Sequence, residues 1–359
     1  MKILFICGNL TDGGAQRVIS VVASNLAKVG YDVNLLLYSR NENEYPISEL
    51  VNVYSLADSF EEYKKINTFT RIKKVRCILK KMEPDIAIGF LEGGYGLFIS
   101  SIGLKMKKIA SSRIYPVQLL KAKGLRAFID RLWFKHADAV VVQTNGQRES
   151  AKNAGWKNVT VIENPISDEL LVAPKHNYSR DLKRIIMIGR LSEQKNYDMA
   201  IRAIRELRND GYDVNLDIYG KGAEEGRLIA LINELGLEDY VILKGWQQNV
   251  SSSCSEYDAF LLTSNYEGMP NALMEAMAMG LPCISTNCAT GPSDLITDNE
   301  NGILVEVGDV KSLVEKLELL IDSNLSYREK LGKNAHDSIS ENNNPKTITS
   351  KWLDLFVKM

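Results

Sequence analysis

Short, unbroken apolar runs alternate with stretches of helical periodicity along almost the whole chain, and the pattern stops once and starts again. In the first half the runs read KILFIC, DVNLLLY, DIAIGF, KKIASS, DAVVVQT and VTVIE. A strand that is apolar at consecutive positions has both faces covered, as in a parallel sheet between layers of helix. Between the runs lie stretches of helical spacing such as 14–29 and 119–136. Strand and helix in alternation predict a parallel, doubly wound sheet. The pattern breaks at ENPISDELLVAPKHNYSRDLK, with its two prolines and mixed polar residues, and restarts with RIIMIGR, DVNLDIYG, YVILKG, DAFLLTS and LPCISTN.

The expected fold class is therefore α/β, with two Rossmann-like domains facing across a cleft. Their bounds are 1–163 and 184–344, joined by a linker over 164–183. A chain of 359 residues has the length for two domains of ordinary size. The last segment, 345–359, is amphipathic through Ile348, Trp352, Leu355 and Phe356. It predicts a helix that either caps the second domain or packs back on the first.

Several classes of protein are disfavoured by what the chain contains. The five cysteines form no CxxC pair and lie mostly in apolar surroundings, as reduced intracellular thiols do. The three histidines, His136, His176 and His336, have no metal-ligand spacing, so no metal is expected. MKILFICG is too short for a signal peptide and reads as a first strand. The longest apolar stretch, 86–104, contains Glu92 and several glycines and parses as strand, loop and helix. The protein is expected in the cytoplasm. Residues 1–160 carry 24 Lys and Arg against 14 Asp and Glu, whereas residues 161–359 carry 20 against 31. So uneven a distribution points to two domains with different partners, the first drawn to something anionic.

Three loops have the composition of phosphate sites. In GNLTDGGAQRV, Gly13 and Gly14 open a helix; adjacent glycines allow close approach of backbone N–H groups, and a helix start carries partial positive charge. A tight turn explains the same residues equally well. In GRLSEQKN, Arg190 and Lys195 follow a strand, a forked donor and a point charge suited to a diphosphate, or else solvated surface charge. In SNYEGMPNALMEAMAMGLP, Pro270 fits the first turn of a helix and Gly280 with Pro282 its end. The amides of Asn271, Ala272 and Leu273 would then lie at a bare helix N-terminus. Glu275 would project on the face of Asn271, placed to accept two hydrogen bonds from vicinal ribose hydroxyls. Glu267, in the loop before, would reach hydroxyls of whatever is joined to the phosphate. Capping and a solvated helix face are the plainer reading of both glutamates, and core packing that of the methionines at 269, 274, 277 and 279.

Taken together, TDGGAQRV, VIENPI, IGRLSEQKN, YGKG and above all SNYEGMPNALMEAMAMGLP resemble the family 4 glycosyltransferases of the GT-B fold, over essentially the whole chain. The last stretch matches that family's E-x7-E signature at Glu267 and Glu275, and is especially similar to bacterial transferases that build capsule, O-antigen and lipid-linked glycans. The resemblance implies retaining transfer from a nucleoside-diphosphate sugar, a uridine-linked hexose or N-acetylhexosamine, to a lipid-linked glycan acceptor. No metal or other cofactor is implied. Gly14 would lie beneath the donor phosphate, Arg190 and Lys195 would neutralise the diphosphate, and the amides of 271–273 would hold its oxygens. Glu275 would bind the ribose and Glu267 the donor sugar. Gly220 and Gly222 in YGKGAEE, and Trp246 in KGWQQNV, would border the nucleobase. One departure stands out: many relatives have a donor-contacting histidine where this chain reads SSRIYP, so Arg113 occupies its place with its role open. A carboxylate pair used as acid and nucleophile is the weaker use of the glutamates, because Glu275 is expected at the ribose.

The basic first domain suggests a second partner. Residues 64–81 hold eight Lys and Arg and no acid, and the stretch 118–136 places Leu125, Phe128, Leu132 and Trp133 on one stripe. Such helices dock on anionic lipid, which would make the protein peripheral on the inner face of the plasma membrane. A stripe turned to the core with solvated lysines is the equal alternative. No nucleic-acid motif accompanies the charge, so nucleic acid is not an expected partner. Two rival functions remain: a GT-B sugar-nucleotide epimerase, and a non-catalytic nucleotide-sugar-binding partner of a transferase complex.

Overall fold

The apolar runs become two fully parallel sheets. A computed structural model describes residues 1–11, 13–90, 92–113, 123–171, 178, 181–247 and 250–359. The chain divides into unit 1, Met1–Pro165 with Pro345–Met359, and unit 2, Ile166–Asn344.

Unit 1 holds β1 (Lys2–Cys7), β2 (Asp32–Leu37), β3 (Asn52–Ser55), β4 (Ile86–Phe90), β5 (Lys107–Ser111), β6 (Ala139–Val142) and β7 (Val159–Val161). They pair in the order β3-β2-β1-β4-β5-β6-β7, so the connections run outward in both directions from β1 and β4. The helices are α1 (Gly14–Lys28), α2 (Phe60–Lys65), α3 (Thr68–Met82), α4 (Glu92–Ser100), α5 (Leu125–His136) and α6 (Asn145–Asn153). Strand alternation sends Ile3, Phe5, Ile88, Phe90 and Ile109 to one face, under α1. Leu4, Ile6, Ala87, Ala110 and Val140 go to the other, against α3, α4 and α5.

The chain's last helix belongs to this unit. It is numbered α13 (Pro345–Val357) in chain order and lays Ile348, Trp352, Leu355 and Phe356 into the core beside α1. Trp352 is fully buried, its ring 6.3 Å from that of Phe90. Burial of one large apolar side chain is worth about 1.5–3 kcal/mol, so the helix is anchored by several such contributions.

The basic stretch 64–81 is not one helix. Ile66 and Asn67 interrupt it, and the Asn67 side chain accepts the Thr70 N–H to cap α3. The predicted stripe on α5 also divides: Trp133 is buried at 2% exposure, whereas Leu125 and Phe128 stand 75% and 56% exposed. Residues 119–122, expected in that helix, lie outside the described residues, and α5 starts after Gly124. Among the described residues no helix is long and apolar enough to cross a membrane.

Unit 2 holds β8 (Arg184–Ile188), β9 (Asn215–Tyr219), β10 (Val241–Gly245), β11 (Ala259–Leu262), β12 (Cys283–Thr286) and β13 (Ile303–Val305), paired β10-β9-β8-β11-β12-β13. Its helices are α7 (Tyr197–Asn209), α8 (Glu225–Glu234), α9 (Asn271–Ala278), α10 (Pro292–Leu295), α11 (Val310–Asp322) and α12 (Leu325–Asn342). One face packs α7, α8 and α11. The other packs α9 and α12, and there the methionines at 269, 274, 277 and 279 are core, each under 9% exposed. All five cysteines are free thiols, with only Cys77 exposed.

Candidate active site

Because every strand of unit 2 runs the same way, their carboxyl ends share one rim, the edge at which open α/β sheets bind ligands. The loops leaving that rim are tied to one another. After β8 the chain passes Gly189, Arg190 and Leu191 into a single 3-10 turn, Glu193–Lys195. The loop after β9 approaches so closely that only glycine fits. A Cβ on Gly220 would lie 1.8 Å from the Gly189 carbonyl oxygen, and one on Gly222 would lie 2.1 Å from that of Leu191. The Gly220 N–H donates to the Gly245 carbonyl at 2.9 Å and so draws in the loop after β10. After β11, the Asn265 N–H donates to the Gln194 carbonyl at 2.8 Å, and its side-chain amide to that of Glu193 at 2.9 Å.

Into this framework is set a buried ion pair. Lys195 Nζ lies 2.7 Å from Glu267 Oε1, with the two side chains 15% and 7% exposed. The Ser264 hydroxyl donates to the same carboxylate oxygen at 2.6 Å. The Gln194 side-chain amide donates to the Tyr266 carbonyl at 2.9 Å, and the Thr290 hydroxyl donates to the Glu267 backbone carbonyl. Burial, with the Glu267 charge second, raises the Tyr197 phenol above its ordinary range and pushes the Cys288 thiol up to about 11. Both groups stay protonated around a carboxylate that stays in place.

Glu275 sits apart from this pair in its surroundings. It is 7% exposed in the second turn of α9, and burial together with its charge pushes the Cys254 thiol up to about 12. The start of α9 is open: Pro270 is its N-cap, one place earlier than the sequence suggested, no side chain caps it, and no acid lies in its first turn. The helical ladder begins when the Met274 N–H reaches the Pro270 carbonyl at 3.1 Å. The amides of Asn271, Ala272 and Leu273 precede that ladder, at the positive end of the helix. Gly291, with φ of 98°, holds the preceding loop: a Cβ there would come 2.5 Å from the Gly268 carbonyl oxygen.

The remaining predicted residues of unit 2 lie on the same rim. Arg190 is exposed, and its guanidinium forms no ion pair among the described residues. Trp246 is 48% exposed, with Lys221 Nζ 5.2 Å from its ring centroid. Gln248 and Asn249 of the KGWQQNV loop lie outside the described residues. Three participants were not singled out from sequence: Ser264, Gln194 and Thr290. Ser264 was the most accessible to sequence reasoning, as a hydroxyl three positions before Glu267 on a turn.

Gly13, Gly14 and Arg113 belong to unit 1. Gly13 caps α1 without a side-chain hydrogen bond, and the first turn has no acid; the neighbouring Asp12 lies outside the described residues. Arg113 follows β5, where Nη1 donates to Asn164 Oδ1 and the guanidinium lies 4.8 Å from the Phe90 ring centroid. Residues 114–116 of SSRIYP are outside the described residues.

Two parallel α/β domains of seven and six strands are the architecture of GT-B glycosyltransferases. The chain belongs to the glycosyltransferases of group 1: residues 171–338 match the family described as Glycosyl transferases group 1, and residues 10–144 match Glycosyl transferase 4-like. It is similar, at 29% identity over 100% of its length and 99% of the relative's, to the Campylobacter jejuni GalNAc-alpha-(1->4)-GalNAc-alpha-(1->3)-diNAcBac-PP-undecaprenol alpha-1,4-N-acetyl-D-galactosaminyltransferase. It is 25% identical to the lipopolysaccharide core biosynthesis glycosyltransferase LpsE of Rhizobium meliloti, over 96% of both chains. The Anabaena protein HepE, solved in complex with UDP, superposes with a TM-score of 0.82 over 100% of both chains at 17% identity.

The buried pair makes a measurable prediction. Lys195→Met leaves the Glu267 carboxylate with the Ser264 hydroxyl and no counter-charge, and should destabilise the protein by about 3 kcal/mol. The double variant Lys195→Met/Glu267→Met should be less destabilised than Lys195→Met, as urea unfolding would show. A loss equal to the sum of those of Lys195→Met and Glu267→Met alone would mean that the two groups are not coupled.

Proposed function

We propose that the chain is a retaining glycosyltransferase that moves a hexose or N-acetylhexosamine from a uridine diphosphate donor to a lipid-linked oligosaccharide during assembly of a surface polysaccharide. The observation that carries this reading is the rim of unit 2, where the open start of α9, the exposed Arg190 and the Lys195–Glu267 pair are held by interlocked loops. The names of the relatives support it, one acting on an undecaprenol-linked glycan and one in lipopolysaccharide core biosynthesis. The UDP in the HepE structure supports the nucleotide.

In this reading the amides of Asn271, Ala272 and Leu273 receive phosphate oxygens, and Arg190 forks onto the diphosphate beside Lys195. Gly13 and Gly14 offer a second helix start to a phosphate oxygen. Glu275 accepts hydrogen bonds from the ribose hydroxyls, Glu267 meets the donor sugar, and Gly220, Gly222 and Trp246 border the base. Lys195 and Glu267 therefore act as a unit, the lysine facing the phosphate while fixing the carboxylate toward the sugar. The acceptor hydroxyl attacks the anomeric carbon on the face the diphosphate leaves. The new C–O bond forms as the bond to phosphate breaks, and a phosphate oxygen takes the hydroxyl proton. Cationic side chains and the helix dipole stabilise the charge on the leaving diphosphate, with no metal taking part.

A lipid-linked acceptor also calls for a membrane surface. Helices α3 and α5 flank α4 in unit 1, and they expose Phe69, Leu125 and Phe128 together with Lys73, Lys74, Lys80 and Lys81. Apolar anchors with cations, each worth about 1 kcal/mol near anionic lipid, form a peripheral docking face.

Labelled UDP-sugars, assayed against a panel of lipid-linked acceptors, test the reaction. Glu275→Ala should lower transfer at least a hundredfold, and undiminished transfer would refute the site. Binding without transfer or hydrolysis would favour a non-catalytic partner, and interconversion of free sugar nucleotides an epimerase. For the membrane face, the protein should sediment with phosphatidylglycerol vesicles. The triple substitution Phe69→Ser/Leu125→Ser/Phe128→Ser should release it, and unchanged sedimentation would remove that face from consideration.

A further inference from the structure

Among the described residues Arg113 is a cation without a counter-charge. Its Nη1 donates to Asn164 Oδ1 and its plane lies over Phe90, but Nε and Nη2 are shut away from solvent with no hydrogen-bond partner among the described residues. The structure gives Arg113 no carboxylate among the described residues, unlike Arg40, Arg126 or Arg227. Burial lowers its pKa to about 9, which leaves it charged at neutral pH.

Its neighbours share one place in the fold. Phe90 ends β4, Arg113 lies two residues beyond the end of β5, and Asn164 three beyond the end of β7. Phe90 and Ile109 face the same side of the sheet as α1. Alternation along β5 puts Ser111 on that side too, and its hydroxyl is likewise buried without a partner. Three orphaned donor atoms, Arg113 Nε, Arg113 Nη2 and Ser111 Oγ, thus gather at the carboxyl rim of unit 1. Helix α1 starts at this rim with an uncapped N-terminus. Orphaned buried donors and an unpaired buried charge are costly in a folded protein. A purely structural arginine would carry a carboxylate or backbone carbonyls on those nitrogens.

We propose that Arg113, with the Ser111 hydroxyl, forms an oxyanion site on unit 1 that takes a phosphate group of a substrate diphosphate ester. The forked Nε and Nη2 edge is the edge that arginine presents to two oxygens of one phosphate. This deepens the proposed reaction, on which it rests: donor and lipid-linked acceptor both carry such a phosphate, and the experiment separates them.

The test is calorimetric titration of the full chain with inorganic pyrophosphate, with and without saturating UDP, on wild type and Arg113→Met. Methionine keeps the apolar stem and removes the charge. If the phosphate is the acceptor's, pyrophosphate binds the UDP-saturated wild type, and Arg113→Met weakens it at least tenfold while leaving UDP affinity intact. If it is the donor's, UDP excludes pyrophosphate, and Arg113→Met weakens UDP itself at least tenfold. Without ligand, Arg113→Met should unfold at the wild-type temperature or above, because an uncompensated charge has been removed. Unchanged affinity for both ligands overturns the proposal. So does a midpoint several degrees below wild type without ligand, the mark of a structural arginine. Should UDP fail to bind the wild type, the donor reading fails, while pyrophosphate titration alone still decides Arg113.

Discussion

The contact between Lys195 and Glu267 is the constraint around which unit 2's rim is organised. A carboxylate 7% exposed is tolerable only with a counter-charge and hydrogen-bond donors, and Lys195 at 2.7 Å and Ser264 at 2.6 Å supply both. Removing either ion would leave the other buried, so the loops after β8 and β11 must stay in register. The hydrogen bonds from Asn265 to Gln194 and Glu193 hold that register from the backbone side. Thr290 brings in the loop after β12, and Gly220 and Gly222 bring in the loop after β9. A rim tied together in this way suits the electrostatic stabilisation of a leaving group that the proposed reaction needs.

The proposed anion sites of the two units are built by different means. Unit 2 combines an open helix start with an exposed arginine and a lysine that is already paired. Unit 1 combines an open helix start with a single arginine set over an aromatic ring and, among the described residues, left without a counter-charge. Paired charge favours stability and preorganisation; an unpaired buried charge is a standing cost that a bound anion would offset. The contrast separates Glu267, whose charge is already compensated, from Arg113, whose surroundings are unfinished.

Much of the fold was legible because strands buried on both faces must be apolar at consecutive positions. KILFIC and DAVVVQT had no other economical reading. Strand β3 escaped because it alternates exposed and half-buried residues at the sheet edge, and β13, only three residues long, was not among the runs read as strands. The phosphate-friendly loops could be read locally, since glycines, proline and helix spacing are local signals. The pairing of Lys195 with Glu267 could not, because 72 positions separate them and each had been given its own task. The division of the α5 stripe was equally hidden: Trp133 and Phe128 look alike in sequence, and only packing decides that one is core and the other surface. Arg113 in a polar SSR segment gave no hint of burial.

In the proposed function the rim of unit 2 holds a nucleoside diphosphate along α9 and the loops interlocked with it. Hydrogen–deuterium exchange of the full chain, with and without UDP, tests it most directly. Slowed exchange is expected in 189–195, 220–222 and 267–275 on addition of UDP, with 184–188 already protected as core strand. Binding of UDP without protection of 267–275, or with protection confined to the opposite edge of the sheet around Asn215 and Asp239, would contradict it.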